Sequence, residues 1–328
     1  MQLEDRNSFG VVTACHAGDY HFVKATCASV RHFSPNVPLC VIVDGDFNVD
    51  ELIETDNPYI IRTSEIEDYE IRTYCSGSPR SKHLAMWLGP FDRYVYLDSD
   101  AIFWGDVIAS LKWEDDEDFI VFWNKPTEPA HNSWLSHFYF DIDILKLYDP
   151  EFEWKWNPYF SAGSFASRRG AISFEDFKRC ESWRSEYPNL FSWTTDQGIL
   201  NYLVFSLSQR GKLKLGRQDL QWIPAHRGIQ ETIKKLNIRG WSLPEKVQEP
   251  YILHFCGNKP YIYDPKSYAL PLTLSRFKHH KNVGKNLFNA LYLVTKEELL
   301  SINKKAVSKM RRWLTDKTME QHTDTSVF

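Results

Sequence analysis

Two carboxylates, Asp98 and Asp100, stand one residue apart in the stretch YVYLDSDAIFWGD, Tyr94 to Asp106. An apolar run that reads as a buried strand precedes them. Like charges this close repel each other, so the pair costs stability unless something offsets it. Residues two apart in extended backbone point the same way, and a turn at the end of the strand then aims both carboxylates at one point. A divalent cation held there takes one or two carboxylates plus phosphate oxygens, as Mg2+ or Mn2+ does on a nucleotide diphosphate. The plainer reading is a loop with two solvated acids. The apolar strand before the pair and Phe103-Trp104-Gly105-Asp106 after it argue against that reading.

Composition narrows the classes of function. The chain has 328 residues, 43% hydrophobic and 25% charged, which suits a soluble globular protein of one large domain or two small ones. The formal net charge of -4 disfavours a nucleic-acid partner. Aromatic residues reach 15%, with 12 Trp, and aromatic rings suit sugar faces as well as cores. Cys15, Cys27, Cys40, Cys75, Cys180 and Cys256 form no C-x-x-C pair. They read as reduced thiols, not as a zinc or thioredoxin-type site. MQLEDRNSFG has no signal-peptide apolar core, and no run of eighteen apolar residues occurs. The expected location is cytoplasmic, possible peripheral contact with the inner membrane face being set by the C-terminus.

Elements must carry the carboxylate pair to a site. GVVTAC (Gly10–Cys15) reads as a strand, followed by a helix that Asp19 is placed to cap, with Phe22, Ala25, Val30 and Phe33 buried. PLCVIVDG is a second strand, SKHLAMWLGP a helix stopped by Gly89-Pro90, YVYLD a third strand and FIVFWN a fourth. Strands separated by helices predict an α/β fold: a mostly parallel, Rossmann-like mixed sheet with helices on both faces. Ligands of such sheets bind beyond the carboxyl ends of the strands, where Asp98 and Asp100 fall. Further on, NPYFSAGSFASRRG contains a strand, Ser173 and Asp176 form a capping pattern, Thr195 to Gln209 is helical, and PYILHFCGNKPY is an apolar run ending in polar residues. The expected division is one large domain over 1–269 and a basic helical extension over 270–328. In the extension Thr295 and Glu298 make a capping box, and Ile302, Ala306, Met310 and Trp313 a stripe beside Lys304, Lys305, Lys309, Arg311 and Arg312. Such a helix either packs on the domain or lies on an anionic membrane.

YLDSDAIFWGD resembles the metal-binding signature of the GT-A nucleotide-sugar glycosyltransferases, in the Y-L-D-x-D form of glycosyltransferase family 8. VVTACHAGDY, YFSAGSF, TTDQGILN and HFCGNKPY are similar, in order, to that family's nucleotide-binding loop, N-A-G, D-Q and H-x-x-G-x-x-K-P-W segments. Ser161 stands in place of Asn and Tyr261 in place of Trp. The resemblance spans Val11 to Tyr261 and implies a divergent, retaining hexosyltransferase that uses a UDP-sugar and Mn2+ or Mg2+.

It further implies a role for each matching residue. Asp98, Asp100 and His254 ligate the metal. Gly257 and Lys259 hold the diphosphate, the first by letting backbone approach and the second by charge. Ala14, Asp19 and Tyr20 belong to the nucleotide loop, with Asp19 and Tyr20 recognising and stacking on the base. Ser161, Ala162 and Gly163 line the donor site, and Lys82 or Arg80 reaches the donor, Lys82 being preferred. Asp196 binds a sugar hydroxyl, and Gln197 faces the anomeric carbon opposite the leaving group. The acceptor is a glycan, a lipid-linked sugar or another hydroxyl compound, met by the loop WNKPTEPAHNSWLSHFYFD. His254 ends YILH as Asp98 ends YVYLD, so both open onto one edge of the sheet. Two alternatives remain: a haloacid-dehalogenase-like phosphohydrolase, which also uses D-x-D after a strand, and a non-catalytic sugar-binding protein.

Overall fold

The computed structural model describes residues 9–77, 79–123, 126–192, 196–224, 229–236, 238, 242–257, 270–284, 286–300 and 302. Ten strands occur among them: β1 Phe9–His16, β2 Leu39–Asp44, β3 Tyr59–Arg62, β4 Arg93–Asp98, β5 Ala101–Trp104, β6 Phe119–Val121, β7 Ser164–Arg168, β8 Leu215–Arg217, β9 Gln221–Trp222 and β10 Tyr251–His254. Seven form one sheet in the order β3-β2-β1-β4-β7-β6-β8. The run β3 to β4 is parallel, and β7 is inserted antiparallel between β4 and β6. The mixed, mostly parallel sheet predicted from the sequence is therefore present.

Alternation along the central strands explains its burial on both faces. Val12, Ala14, Ile42, Tyr94 and Tyr96 enter one apolar cluster, while Val11, Val41, Val43, Val95 and Leu97 enter the other. Successive side chains point to opposite faces, so a strand apolar at every position serves two cores at once. Helix α1, Tyr20–Phe33, covers the second face and buries Phe22, Ala25, Val30 and Phe33 as the sequence predicts. The segment before β4 is a 3-10 turn, Pro79–His83, that runs into a short helix, Leu84–Leu88, ahead of Gly89. The capping box of Ser173 and Asp176 forms at the helix Phe174–Glu186.

β5 escaped the sequence reading, and it decides where the site lies. After Ser99-Asp100 the chain leaves the large sheet and pairs antiparallel with β10, matching Ala101 to His254 and Trp104 to Tyr251. All four β5 side chains are buried. Burying Phe103 or a side chain of similar size is worth roughly 1.5–3 kcal/mol, more than any single exposed contact would add. The register of β5 on β10 carries His254 to the end of β4, although the two strands are far apart in sequence.

The helix Leu270–Gly284 lies along α1, with Leu272, Leu274 and Phe277 in the second core. Residues 287–300 are helical, and Thr295 falls inside that helix. The predicted capping box at Thr295 is therefore corrected: Glu298 instead accepts from Arg276 Nη1 at 2.6 Å. Helix 287–300 presents Phe288, Leu291, Tyr292 and Leu299 to solvent, Phe288 at 87% exposure. The stripe from Ala306 to Trp313 lies outside the described residues.

Candidate active site and metal centre

A cleft of about 900 Å³ opens beyond the carboxyl ends of β1, β2 and β4. Its walls include Ala14, Asp19, Lys82, Asp98, Asp100, Ser161, Ala162, Gly163, Asp196, Gln197, His254 and Gly257, drawn from segments scattered over most of the chain.

Asp98 Oδ2 and Asp100 Oδ1 lie 3.8 and 3.6 Å from His254 Nε2. One ligand atom from each of the three falls within 4.8 Å of the others. Two ligands about 2.1 Å from one ion are at most about 4.2 Å apart, so the imidazole sits at bridging distance from each carboxylate. Asp100 and His254 are buried, at 2% and 3% exposure, while Asp98 reaches the cleft. Two carboxylates and a neutral imidazole suit Mn2+ well and Mg2+ less well. Gly163 explains how they come so near. A Cβ there would overlap His254 Cε1 and sit 2.8 Å from Asp98 Oδ2, so only glycine fits. Its carbonyl accepts from Asp98 N–H at 2.8 Å.

The other ring nitrogen of His254 is held from behind. Ser161 Oγ is 3.2 Å from Nδ1 and Gln221 Nε2 is 3.4 Å from it. Gln221 also donates to Ser164 Oγ at 2.5 Å. Such outer contacts orient the imidazole and would keep Nε2 directed at an ion bound there.

A second charge cluster adjoins the first. Lys82 Nζ is 3.0 Å from Asp98 Oδ1 and 3.0 Å from Asp196 Oδ2, and it donates to Ala162 O at 3.3 Å. Burial alone would push its pKa down, but Asp196 and Asp98 override burial and hold the ammonium charged well above its usual range. Arg80 turns elsewhere, pairing with Glu181 at 3.3 Å and lying over the Tyr74 ring. Of the two basic candidates Lys82 reaches the site. Gln197 is held crosswise, its Oε1 accepting from Ala162 N–H at 3.4 Å and its Nε2 donating to Phe138 O at 3.1 Å.

The first loop differs from expectation. Asp19 does not cap α1 with its side chain. Its carboxylate accepts from His16 N–H and from Ser99 Oγ, each at 2.8 Å, and so bridges the loop after β1 to the turn between Asp98 and Asp100. The Tyr20 ring packs edge-on against Phe47 at 5.6 Å and is not among the cleft walls. Gly257 has φ +84°, a left-handed conformation that suits glycine. Lys259, Pro260 and Tyr261 lie outside the described residues.

Three contributors escaped the sequence reading. Tyr96 donates to Asp98 Oδ1 at 3.0 Å. Burial foremost, then the Asp98 charge, drives its phenol pKa up and keeps it a donor. Its position two before Asp98 on the same strand was a usable signal. Asp44, at the end of the second strand and not singled out in the sequence, lines the cleft and accepts from Gly77 N–H and Thr63 Oγ1. An acid at the carboxyl end of a parallel strand was again a signal. Gln221 carried none, because β9 has two residues.

The fold as a whole is similar to that of solved structures. The galactosyltransferase LgtC, determined with donor and acceptor sugar analogues, superposes with a TM-score of 0.52 at 15% identity, covering 84% of this chain and 95% of LgtC. The fold is GT-A. The bifunctional glycosyltransferase WbbM, in its apo form, gives a TM-score of 0.51 at 12% identity, over 88% of this chain and 51% of WbbM. No known family profile and no curated protein sequence matches the chain. At such identities the likeness is one of GT-A architecture, and the chemistry rests on the residues of the cleft.

Proposed function

We propose that the chain is a retaining glycosyltransferase that moves a hexose-type sugar from a UDP-sugar to the hydroxyl of a glycan or lipid-linked acceptor. One observation carries the reading. Asp98, Asp100 and His254 converge at the mouth of a cleft that also holds the Lys82–Asp196 pair and the fixed amide of Gln197.

Asp98, Asp100 and His254 would hold Mn2+ or Mg2+. When bound, the ion supplies positive charge against the donor's diphosphate and against the charge that grows on the departing UDP. Gly257 lets backbone approach that diphosphate. Ala14, near the end of β1, and Asp19, in the loop that follows, face the nucleotide. Asp196, held by Lys82, accepts from a sugar hydroxyl and orients the ring. The Gln197 carbonyl faces the anomeric carbon from the side opposite UDP. An amide is a poor nucleophile, so displacement on the leaving-group face fits better than a covalent glycosyl-enzyme, with a diphosphate oxygen taking the acceptor proton.

The test is a panel of UDP-sugars with Mn2+, read by UDP release with and without glycan acceptors. Release that a chelator abolishes and Mn2+ restores supports the proposal. Hydrolysis of phosphomonoesters without UDP release would favour the phosphohydrolase, and saccharide binding without turnover the sugar-binding protein. Full donor turnover in metal-free protein would remove the metal from the reading.

A further inference from the structure

A second cluster of ligating side chains lies away from the cleft, where the helix Leu270–Gly284 meets α1 and α2, Asp50–Asp56. His279 Nε2 is 2.8 Å from Glu51 Oε1, and His280 Nδ1 is 3.9 Å from the same oxygen. One atom from each of Glu51, His279 and His280 falls within 4.8 Å of the other two. Both imidazoles are buried, at 1% and 3% exposure. The ring nitrogens facing away from Glu51 meet carboxylates: Asp56 Oδ2 is 3.7 Å from His279 Nδ1, and Glu297 Oε2 is 3.1 Å from His280 Nε2. Carboxylates behind ligating imidazoles are the usual outer support of a metal site, fixing tautomer and orientation.

A further observation points to a ligand. Among the described residues His280 Nδ1 is buried and has no hydrogen-bond partner, although a buried nitrogen ordinarily finds one. The atom that would complete the set is therefore the one left unsatisfied. Charge points the same way. The carboxylates of Glu51, Asp56, Glu297 and Glu298 surround this interface. Among the described residues the permanent cations there are Lys24, on Glu51 and Glu297, Arg276, on Glu297 and Glu298, and Arg31, whose guanidinium donates to Asp56 O. The four carboxylates outnumber these three cations, so with neutral imidazoles the interface keeps an excess of negative charge that favours a bound cation.

We propose that Glu51, His279 and His280 form a second metal site, one that takes a zinc-class transition-metal ion and fastens the C-terminal helix to α2. Two imidazoles and one carboxylate are a zinc-type ligand set with room for a fourth ligand from water. Glu51 and His279 are 228 residues apart in sequence, so an ion between them closes a long loop. Lys24 contacts both oxygens of Glu51 at 3.2 Å, and its 2.6 Å contact with Glu297 keeps it paired when Glu51 Oε1 turns to the ion.

The full chain, stripped with chelator, is titrated with Zn2+ for stoichiometry and with Co2+ for its visible absorption. The variant Asp98→Ala/Asp100→Ala removes the cleft site and isolates the second one. It is expected to keep one tightly bound Zn2+ and the absorption of four-coordinate Co2+. Adding His280→Gln should weaken that binding at least about tenfold and abolish the absorption. Circular dichroism checks that each variant is folded. Should His280→Gln fail to fold, the thermal midpoint of the Asp98→Ala/Asp100→Ala protein decides: Zn2+ is expected to raise it and chelator to reverse the rise. Loss of all Zn2+ binding with Asp98 and Asp100, unchanged binding in folded His280→Gln, or no thermal shift would each overturn the site.

Discussion

Lys82 Nζ and Asp98 Oδ1 are 3.0 Å apart, in a place where the lysine side chain is 6% exposed. The cost of setting Asp98 beside Asp100 is thus partly offset from within the protein. Lys82→Met should leave Asp98 and Asp196 without their buried cation, and breaking a buried pair from one side costs about 3–5 kcal/mol. The variant should melt lower in chelator and recover more of its midpoint on adding Mn2+ than the natural protein gains. Equal Mn2+ shifts in both proteins would show that Lys82 and the ion do not share the charge of Asp98.

Gly163 separates packing from charge. Gly163→Ala forces a Cβ between His254 and Asp98 without altering any ionisable group. Mn2+ affinity and donor turnover are expected to fall together by at least about tenfold, with the circular dichroism spectrum retained. Isothermal titration checks the first and UDP release the second. Unchanged Mn2+ binding would mean that the two ligands do not close on one ion.

The pieces of this site that were legible in the sequence share one property. Asp98 and His254 end apolar strands, and strand ends of an α/β sheet converge on one edge. Lys82 was preferred to Arg80 on the resemblance alone, since both sit on a polar-looking segment, and only the packed 3-10 turn shows Lys82 sent inward. Tyr20 is the opposite case: an aromatic in the loop after β1 suggests stacking on a base, and the start of α1 directs its ring at Phe47. β5 was hidden in AIFW, four apolar residues that lack the length and punctuation of a strand signal. Its pairing with β10 is a long-range event that local pattern does not report.

Cys256 offers a probe of occupancy. Cys15, Cys27, Cys40, Cys75 and Cys180 are buried, and burial drives each thiol up, Cys75 to about 12. The thiolate is the reactive form, so these five should resist alkylation in the folded chain. Cys256 is half-buried and lines the cleft beside Gly257. Mass spectrometry after brief iodoacetamide treatment should show one modified thiol, at Cys256, slowed about tenfold by UDP with Mn2+. Labelling unaffected by nucleotide would place the diphosphate away from Gly257.

Helix 287–300 exposes Phe288, Leu291, Tyr292 and Leu299, and the sequence beyond it supplies Lys304, Lys305, Lys309, Arg311 and Arg312. Apolar side chains next to a basic run suit an anionic bilayer surface. The chain is expected to sediment with phosphatidylglycerol vesicles at low salt, less so at high salt, and less again as Phe288→Ser/Tyr292→Ser. Partitioning that neither salt nor the substitutions change would argue against a membrane role.

The ions that dock the C-terminal helices should make metal-free stability depend on pH with opposite signs at its two ends. On the acid side, the hydrogen bond from His279 is the main force lowering Glu51, to about 2 from an ordinary 4.5, and burial opposes it. Burial would raise Glu297, but His280, Lys24 and Arg276 override it and hold that carboxyl far below its ordinary value. A depressed acid stabilises the fold fully above its unfolded value and loses that contribution as pH falls through the folded one. Loss is therefore expected from pH 4.5 downward, through about 2 for Glu51. On the other side, burial would lower His279, but Asp56 and Glu51 raise it above its ordinary 6.5. A raised base contributes fully below 6.5 and fades as pH climbs through the folded value. Thermal midpoints of the chelated chain should thus peak between pH 4.5 and 6.5 and fall on both sides. His279→Gln should flatten the alkaline limb and keep an acid limb through Glu297. The Glu51 side chain is 36% exposed, so solvent screening limits its share to a modest one. Scanning calorimetry from pH 3 to 8.5 in steps of about half a unit checks both limbs, and an alkaline slope equal in the natural chain and in His279→Gln would show that His279 holds no proton in the docked helix.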